Sequence, residues 1–439
     1  MASKVSVLRW MVRAGAAIAA AFADWVLLGR ARSAGGRHEV VARLMRDPEV
    51  IEASRSYARE EGVPLDVALR LAEGYAREIS PAPDPRLYFR LAVPLAGFVL
   101  RFLYGRRLHC AGSENVPEPG GGAGVIFVMN HRSNLDYVVL GHLIGGRMAL
   151  SFAAGEWARF WPLGPLVRAM GSFFVRRGTG DALYRRVLER YVQTGLEGSF
   201  TPVVFIEGGL SRDGRLREPK TGFLDYTLRR FDPSGDRDLL FVPVAINHDW
   251  VLEDGSLPSP GEPNPSGIGS VLSTSLFILR SLRLARRGPE RLGHVAVKLG
   301  SPVSARAWSA SRSLDFRALE PVARAGRVRE FATDLMRTIS GLIPVVPVPV
   351  VADVLLEASG EALLLEEIGA RAGTLVAELE RRGAWVCFDE KIDVEAVLHL
   401  LLRRGLITRD GDQYRAAPEG EKLLRFYAAS ISHLHLEDG

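Results

Sequence analysis

The chain has 439 residues, a formal net charge of +5 and an isoelectric point near 9.3. Its hydrophobic fraction of 47% is that of a globular protein, which excludes a disordered chain and a polytopic membrane protein. The mild basic excess is compatible with anionic lipid surfaces, phosphate-bearing substrates or nucleic acid. The two cysteines, Cys110 and Cys387, lie far apart in sequence and form neither a metal-binding motif nor a disulfide framework.

The N-terminal region has the pattern of a helical segment. A basic start precedes an apolar stretch at residues 14–28, which Asp24 interrupts. This pattern is typical of an export signal and equally of a basic amphipathic helix on a membrane surface, and we favour the second. Further along, apolar spacing predicts helices at residues 48–60 and 64–79, the first capped by Asp47.

An apolar run at residues 91–100 is flanked by Arg90 and Arg101 and contains Pro94. It is shorter than the ~20 residues that a helix needs to cross a bilayer. Aromatic residues and arginines around a short apolar run favour a segment that lies in the membrane interface. The sequence therefore predicts peripheral membrane association, and a buried core helix is the alternative.

From about residue 112 the pattern changes to alternating strands and helices. Short apolar runs rich in β-branched residues predict strands, and amphipathic runs between them predict helices. Such alternation indicates an α/β fold with a largely parallel sheet and flanking helices. Strands are predicted at residues 125–129, 172–175, 202–206, 240–247 and 294–299, and helices at residues 135–144, 181–195 and 222–231.

By composition the chain divides into three parts. A helical, membrane-associating region covers residues 1–111, and the α/β domain covers residues 112–345. After a linker of valines and prolines, residues 346–439 form a small helical module in which a helix precedes a glycine-containing hairpin at residues 405–415. That combination resembles a winged helix, a shape often used to bind DNA, but shape alone is weak evidence of function.

His131 and Asp136 come directly after the predicted strand at residues 125–129. A strand end that opens into a helix presents side chains and backbone N–H groups to a cleft. A histidine there can take the proton of an alcohol, and a following carboxylate can orient its ring and stabilise the imidazolium. No Ser or Cys nucleophile is required if a substrate hydroxyl attacks directly. The same spacing recurs at His433 and Asp438, so spacing alone is weak evidence.

Three further segments carry candidate binding residues. Arg176 and Arg177 end an apolar strand, and guanidinium groups suit bidentate recognition of phosphate. The next strand leads into a glycine-rich loop, where the backbone can approach a ligand closely. For both segments an ordinary solvated surface is the alternative. The loop offers Glu207, Gly208, Ser211, Arg212 and Lys220, and the third segment is the strand residues Val242, Pro243 and Val244, which taken alone indicate an ordinary core strand.

In this order the four segments resemble the signature blocks of the glycerol-phosphate acyltransferase superfamily. The resemblance is closest to its membrane glycerol-3-phosphate and dihydroxyacetone phosphate acyltransferases, and it covers most of the chain. His131 and Asp136 fall on the HxxxxD block, residues 171–177 on the second block and residues 207–212 on the third. Residues 219–222 match an extension typical of this branch. The strand residues from Val242 to Val244 fall on the fourth block.

The resemblance implies an acyltransferase in which His131 is the catalytic base and Asp136 its partner. Acyl-CoA or an acyl-carrier protein would donate the acyl group to glycerol 3-phosphate, giving lysophosphatidate in the first step of glycerophospholipid synthesis. No metal or other cofactor and no nucleic acid partner is implied, and the enzyme would lie on the cytoplasmic face of the cell membrane. Arg176, Arg177, Glu207, Gly208, Ser211, Arg212 and Lys220 would hold the acceptor's phosphate, and Val242, Pro243 and Val244 would line the donor pocket.

Two departures from the family pattern bear on the substrate. Leu210 stands where the family usually carries an arginine, and an aliphatic side chain cannot bind an anion. After the fourth block, Asn247, His248 and Asp249 replace an expected Tyr/Glu pair. Dihydroxyacetone phosphate, lysophosphatidate or another lipid are therefore alternative acceptors. A binding protein with an inactive site and a DNA-binding regulator are alternatives of other classes, but the intact HxxxxD pair and the lack of a concentrated basic stripe argue against them.

Overall fold

The computed structural model describes residues 30–81, 88–118, 121–154, 171–176, 180–196, 201–256, 292–388 and 392–435. The contacts group the chain into two compact units. Unit 1 consists of Met1–Val99 and Gly141–Val203, and unit 2 of Leu100–Leu140 and Val204–Gly439. The three-part division with boundaries at residues 111 and 345 stays a prediction.

The described helices and strands alternate through the middle of the chain, as the sequence predicts. The helices are α1 (Arg30–Met45), α2 (Pro48–Glu61), α3 (Leu65–Ile79), α4 (Val93–Tyr104), α5 (Asp136–Ile144), α6 (Ala182–Leu196), α7 (Gly222–Leu228), α8 (Ala305–Ala310), α9 (Pro321–Leu342), α10 (Pro347–Glu357), α11 (Leu365–Arg381), α12 (Val394–Arg403) and α13 (Glu421–Ala428). The strands are β1 (Leu108–Ala111), β2 (Gly124–Met129), β3 (Leu150–Ala154), β4 (Phe173–Phe174), β5 (Thr201–Phe205), β6 (Leu239–His248), β7 (Val295–Leu299), β8 (Val303–Ser304), β9 (Leu363–Leu364), β10 (Ile407–Asp410) and β11 (Gln413–Ala416).

Unit 1 is built around packed helices, and the helices predicted at residues 48–60 and 64–79 are confirmed as α2 and α3. Asp47 caps α2 by accepting a hydrogen bond from the backbone N–H of Glu49 at 2.9 Å, which satisfies one of the helix's unpaired donors. α2 and α3 pack against each other and against α6, because α3 turns a stripe of small and apolar side chains inward. That buried stripe is Ala68, Ala72, Tyr75, Ala76 and Ile79.

Within unit 1, β3 pairs in parallel with β4 and with the start of β5. Leu150 lies opposite Thr201, and Ala153 lies opposite Phe173. The sequence does not predict β3, because its serine and alanines lack the β-branched signature of a strand. Pairing with neighbouring strands, and not local propensity, makes this segment a strand.

The apolar run at residues 91–100 lies mostly in α4. Its side chains are largely half-buried up to Leu100, and both Pro94 and Arg101 are exposed. In the ranges that the structure describes, no helix has both the length and the apolar character needed to cross a bilayer.

Unit 2 contains a sheet in the order β1-β7-β6-β2. β1 pairs with β7 and β2 with β6 in parallel, while β7 and β8 run antiparallel to β6. β6 is the central strand, buried from Phe241 to Asp249. The expected α/β fold with a largely parallel sheet is therefore confirmed, with β7 and β8 as antiparallel additions. Because β2 and β6 are parallel, their carboxyl ends meet at one edge.

The C-terminal part of unit 2 contains α10 to α13 and a small antiparallel sheet in the order β10-β11-β9. The hairpin of β10 and β11 follows α12, as the sequence predicts. Helices and sheet share one apolar core, which includes Val348, Leu355, Leu398, Leu401 and Tyr427.

Candidate active site

The site lies where β2 ends and α5 begins. Asn130, the residue after β2, is buried and extends the pairing with β6 through its side chain. Its amide donates to the carbonyl of Ile246 at 3.0 Å and accepts from the N–H of Ile246 at 2.9 Å. These two hydrogen bonds to β6 fix the backbone immediately before His131.

Asp136, the first residue of α5, is wholly buried and holds the turn together. Its Oδ2 accepts from Nδ1–H of His131 at 3.0 Å and from the backbone N–H groups of Arg132 at 2.7 Å and Ser133 at 3.0 Å. Its Oδ1 accepts from Nε2–H of His248 at 2.8 Å. Burial acts to raise the pKa of Asp136, but the hydrogen bonds from the two histidines outweigh it and hold that pKa well below its usual range.

The orientation of the His131 ring follows from this carboxylate. An ionised carboxylate can only accept, so Nδ1 of His131 carries the hydrogen and Nε2 carries the lone pair. The ring stacks on Phe205 with centroids 3.8 Å apart, and Tyr137 meets it edge-on at 5.5 Å. With 3% of its surface exposed, His131 is buried, and this tautomer of its neutral ring is the one that a general base requires.

Glu207 connects the glycine-rich loop to His131. Its Oε1 accepts from the backbone N–H of His131 and its Oε2 from that of Arg217, both at 2.9 Å. Burial raises the pKa of Glu207 above its ordinary value, against the two hydrogen bonds that lower it. Ser211 donates its backbone N–H to the carbonyl of His131 at 3.0 Å, so the loop and the turn that begins at His131 are joined at two points.

Backbone geometry and a close neighbour explain why position 208 is a glycine. Gly208 has φ of +68°, and a Cβ there would lie 2.8 Å from Cγ of Lys220. Lys220 therefore crosses directly over the loop, and its backbone N–H donates to Ile206 at 2.7 Å. The side chain of Lys220 is exposed and that of Arg212 is half-buried. The structure thus brings Glu207, Gly208, Ser211, Arg212 and Lys220 into one loop beside His131.

Two families match the sequence of this chain. The family described as "Acyltransferase" matches residues 107–247, which include His131, Asp136 and Glu207. The family described as "Glycerol-3-phosphate acyltransferase C-terminal region" matches residues 278–438. The chain is therefore similar to acyltransferases in one segment and to the C-terminal region of glycerol-3-phosphate acyltransferases in the other.

Curated relatives show the same similarity. Proteins from Aeromonas hydrophila, Ectopseudomonas mendocina and Haemophilus ducreyi, each named glycerol-3-phosphate acyltransferase, are 31%, 34% and 26% identical over 79%, 61% and 91% of this chain. The chain spans 43%, 32% and 50% of their respective lengths. A solved lysophosphatidate acyltransferase from Thermotoga maritima has a TM-score of 0.33 at 21% identity, covering 57% of this chain and 82% of that one. The α/β fold is therefore assigned from the strand order of this chain alone.

Of the second family block, Arg176 lies in unit 1 and Arg177 lies outside the described residues. Arg176 makes a bidentate ion pair with Glu78, at 2.7 Å from Nε and 2.5 Å from Nη2. This hydrogen-bonded pairing raises the pKa of Arg176 above its usual value. Its guanidinium also lies over the rings of Tyr75 and Tyr184, at 5.2 and 5.1 Å. A role in binding phosphate stays a prediction.

The fourth family block is part of the core of β6. Val242 lies opposite Phe127 and Val244 opposite Met129 of β2, and neither valine is exposed. Pro243 accepts from the backbone N–H of Gly300 at 2.9 Å. Their assignment to the donor pocket also stays a prediction.

Sequence reasoning missed three buried residues of this site. His248 binds the carboxylate of Asp136, and Glu253 holds the same turn by accepting from the Ser133 hydroxyl at 2.9 Å and the Asn134 N–H at 3.0 Å. Burial raises the pKa of Glu253. The signal for His248 was its place at the end of β6, beside the end of β2, in a tripeptide that departs from the family pattern.

Arg132 is the third such residue. Its Nη1 donates to the carbonyl of Gly214, and its guanidinium lies 5.1 Å from the ring centroid of Phe426 in α13. Its Nε and Nη2 are buried and have no hydrogen-bond partner within the described ranges. Burial lowers the pKa of Arg132, while the nearby charges of Glu207 and Asp136 act to raise it. The cation therefore offsets two buried acidic groups.

Among the described residues, one group of side chains has the composition of a metal site. Ligand atoms of His109, His294 and Cys387 all lie within 4.8 Å of one another. However, Nε2 of His109 and Nδ1 of His294 are 2.9 Å apart in rings that are parallel within 4° and 5.1 Å between centroids. That separation places the two nitrogens head-on, as in an N–H···N bond, and they do not converge on a common point as tetrahedral metal ligands do.

Proposed function

We propose that this chain transfers a fatty acyl group from a thioester donor to the hydroxyl of glycerol 3-phosphate, giving lysophosphatidate. The observation that carries the proposal is the His131–Asp136 pair, in which a wholly buried carboxylate fixes the imidazole so that Nε2 holds the lone pair. The names of the curated relatives support this choice of acceptor.

The proposed reaction is a direct transfer. Nε2 of His131 takes the proton of the acceptor hydroxyl as that oxygen attacks the thioester carbonyl carbon, and a new C–O bond forms. Collapse of the tetrahedral intermediate breaks the C–S bond, and the imidazolium returns its proton to the leaving thiolate. Asp136, 3.0 Å from Nδ1, stabilises the imidazolium between these two steps. The donor is acyl-CoA or an acyl-carrier protein, and no further cofactor takes part.

The loop after β5 is the proposed phosphate site, with Arg212 and Lys220 as cations beside Glu207, Gly208 and Ser211. Arg217 compensates for the aliphatic Leu210, because its Nη1 donates to the carbonyl of Leu210 at 3.3 Å and so brings a guanidinium to that position. Guanidinium groups bind phosphate through paired hydrogen bonds. Arg176 and Arg177 remain proposed contributors, the former by exchanging Glu78 for phosphate.

The donor's acyl chain is proposed to lie against the part of β6 formed by Val242, Pro243 and Val244. We also propose that the protein associates peripherally with the cytoplasmic face of the membrane through α4. Support comes from its apolar, half-buried side chains between the exposed Arg90 and Arg101. Flotation with vesicles of anionic phospholipid tests this: Leu95→Ser should reduce the bound fraction, and unchanged binding would exclude α4 as the contact.

The reaction is tested by supplying radiolabelled palmitoyl-CoA with glycerol 3-phosphate, dihydroxyacetone phosphate or lysophosphatidate in separate reactions. His131→Ala serves as the inactive control. Product that depends on His131 with glycerol 3-phosphate alone supports the proposal. Product with another acceptor keeps the chemistry but changes the substrate. No product with any acceptor, with acyl-CoA or with acyl-carrier protein as donor, would refute the proposed activity.

Arg217→Ala tests the phosphate site within the same assay. Losing one charge-assisted hydrogen bond should raise KM for glycerol 3-phosphate about 10- to 100-fold and change kcat much less. Arg215→Ala is the matched control, because that exposed arginine lies in the same loop and the proposal assigns it no contact. Equal KM values for the two variants would show that Arg217 does not bind the acceptor.

A further inference from the structure

Asp136 lies between two histidines, and only His131 belongs to the HxxxxD block. The second, His248, is the last residue of β6 and has no exposed surface. Its Nε2 lies 2.8 Å from Oδ1 of Asp136, closer than Nδ1 of His131 lies to Oδ2. Each carboxylate oxygen is thus held by a different imidazole.

The hydrogen-bonded chain continues to Tyr104 at the end of α4. Its hydroxyl lies 3.3 Å from Nδ1 of His248, and its side chain is wholly buried. Burial above all, and then the nearby Asp136, Glu253 and Asp249, raise the pKa of Tyr104 well above its usual value, so the phenol keeps its proton. A phenol that donates to Nδ1 leaves the hydrogen of a neutral imidazole on Nε2, where it points at Asp136.

We propose that His248, oriented by Tyr104, is a positioning residue that fixes the carboxylate of Asp136 and sets the basicity of His131. The inference rests on the proposed function, since it concerns the same base. Its physical basis is that a buried carboxylate oxygen without a donor carries uncompensated negative charge. That charge would strengthen the hold of Asp136 on a protonated His131.

Other charged and titratable groups surround the hydrogen-bonded series that runs from Tyr104 through His248 and Asp136 to His131. His131 faces Asp136, Glu207 and Tyr137, and the buried cation of Arg132 lies near the first two of these. His248 faces Asp136 and Tyr104, and Glu253, Asp249 and Tyr427 complete the surroundings of Tyr104. Of these, only His248 donates to Oδ1 among the described contacts of Asp136. Removal of His248 should therefore act on His131 through Asp136.

The test compares His248→Leu, which removes the donor, with His248→Gln, whose amide N–H can occupy the position of Nε2–H. His248→Leu should lower kcat/KM about 10- to 100-fold, as outer partners of a reactive group commonly do, and should move the acidic limb of the pH profile to higher pH. His248→Gln should recover most of the rate and restore the position of that limb. His294→Leu is the matched control, since it removes a half-buried histidine outside the site and should leave the pH profile in place.

A second measurement keeps the inference separate from the proposed activity. The titration of His131 is followed by NMR in protein labelled with ¹⁵N in its nine histidines, assigned with His131→Ala. His248→Leu should move the measured His131 titration to higher pH, whether or not any acceptor is turned over. An unchanged His131 titration in folded His248→Leu, or a His248→Gln variant as impaired as His248→Leu, would overturn the proposal. Absent turnover by the wild type with the predicted NMR shift would refute only the proposed function.

Discussion

Replacing Asp136 with asparagine would remove a negative charge while keeping most of the hydrogen bonds around it. The amide oxygen can take the place of Oδ2 and accept from His131, Arg132 and Ser133. The amide nitrogen then faces His248, which can accept at Nε2 if its hydrogen moves to Nδ1 and is donated to Tyr104. We therefore expect the variant to fold.

The distance between His131 and Asp136 sets the loss of activity that we expect for Asp136→Asn. An imidazolium at His131 and the carboxylate of Asp136 are 3.0 Å apart. With an effective dielectric constant of about 20, their attraction is about 5 kcal/mol. Because each 1.4 kcal/mol corresponds to a factor of ten, we expect kcat/KM to fall roughly 10³- to 10⁴-fold.

The same charge contributes to stability with a definite pH dependence. The pKa of Asp136 is lower in the folded protein than in the unfolded chain, so its contribution is complete above the ordinary carboxyl pKa of about 4. It is lost as the pH falls through the folded pKa, at about 1.4 kcal/mol for each unit of difference. The difference in free energy of unfolding between wild type and Asp136→Asn should therefore shrink as the pH falls below about 4.

Acyl transfer at saturating donor and varied acceptor concentration measures kcat/KM, and urea unfolding at several pH values measures stability. Asp225→Asn is the matched control, because that aspartate is paired with Arg229 and Arg324 away from the site. Folded Asp136→Asn with kcat/KM within tenfold of the wild type would refute the idea that this charge stabilises an imidazolium.

Two further predictions concern the supports of the site. Gly214→Ala should destabilise unit 2 by about 1–3 kcal/mol more than Gly411→Ala in urea unfolding. A Cβ at position 214 would lie 1.8 Å from the carbonyl oxygen of Phe426, whereas a Cβ at position 411 would meet no atom within 4 Å. Equal losses of stability in the two variants would contradict this packing. Arg404→Met should cost about 3–5 kcal/mol by leaving the buried Asp254 without its cation. The double variant with Asp254→Asn should recover part of that loss in the same assay, whereas no recovery would exclude the ion pair as the cause.

Local features of this chain were predictable because their causes are local. Asp47 caps α2 through a contact with Glu49, and the apolar spacing of α3 follows from one helix face. His131 and Asp136 are neighbours on a single turn after β2, so their contact follows from the chain between them. The segment at residues 150–154 was missed for the opposite reason, since its strand exists through pairing with β4 and β5.

By itself, the sequence determined the α/β alternation, the His131–Asp136 pair and the loop that carries Glu207. Only the tertiary structure decided what surrounds that pair. Glu207 lies 76 residues from His131, and His248 lies 112 residues from Asp136, yet each is in hydrogen-bond contact. The His248 contact arises because β2 and β6 are parallel neighbours whose carboxyl ends meet at one edge of the sheet. The Glu207 contact arises because the chain leaving β5 meets the end of β2, where Ile206 donates its backbone N–H to the carbonyl of Met129. No local propensity specifies which strands pair, so a second histidine on the catalytic carboxylate becomes visible only once the sheet is assembled.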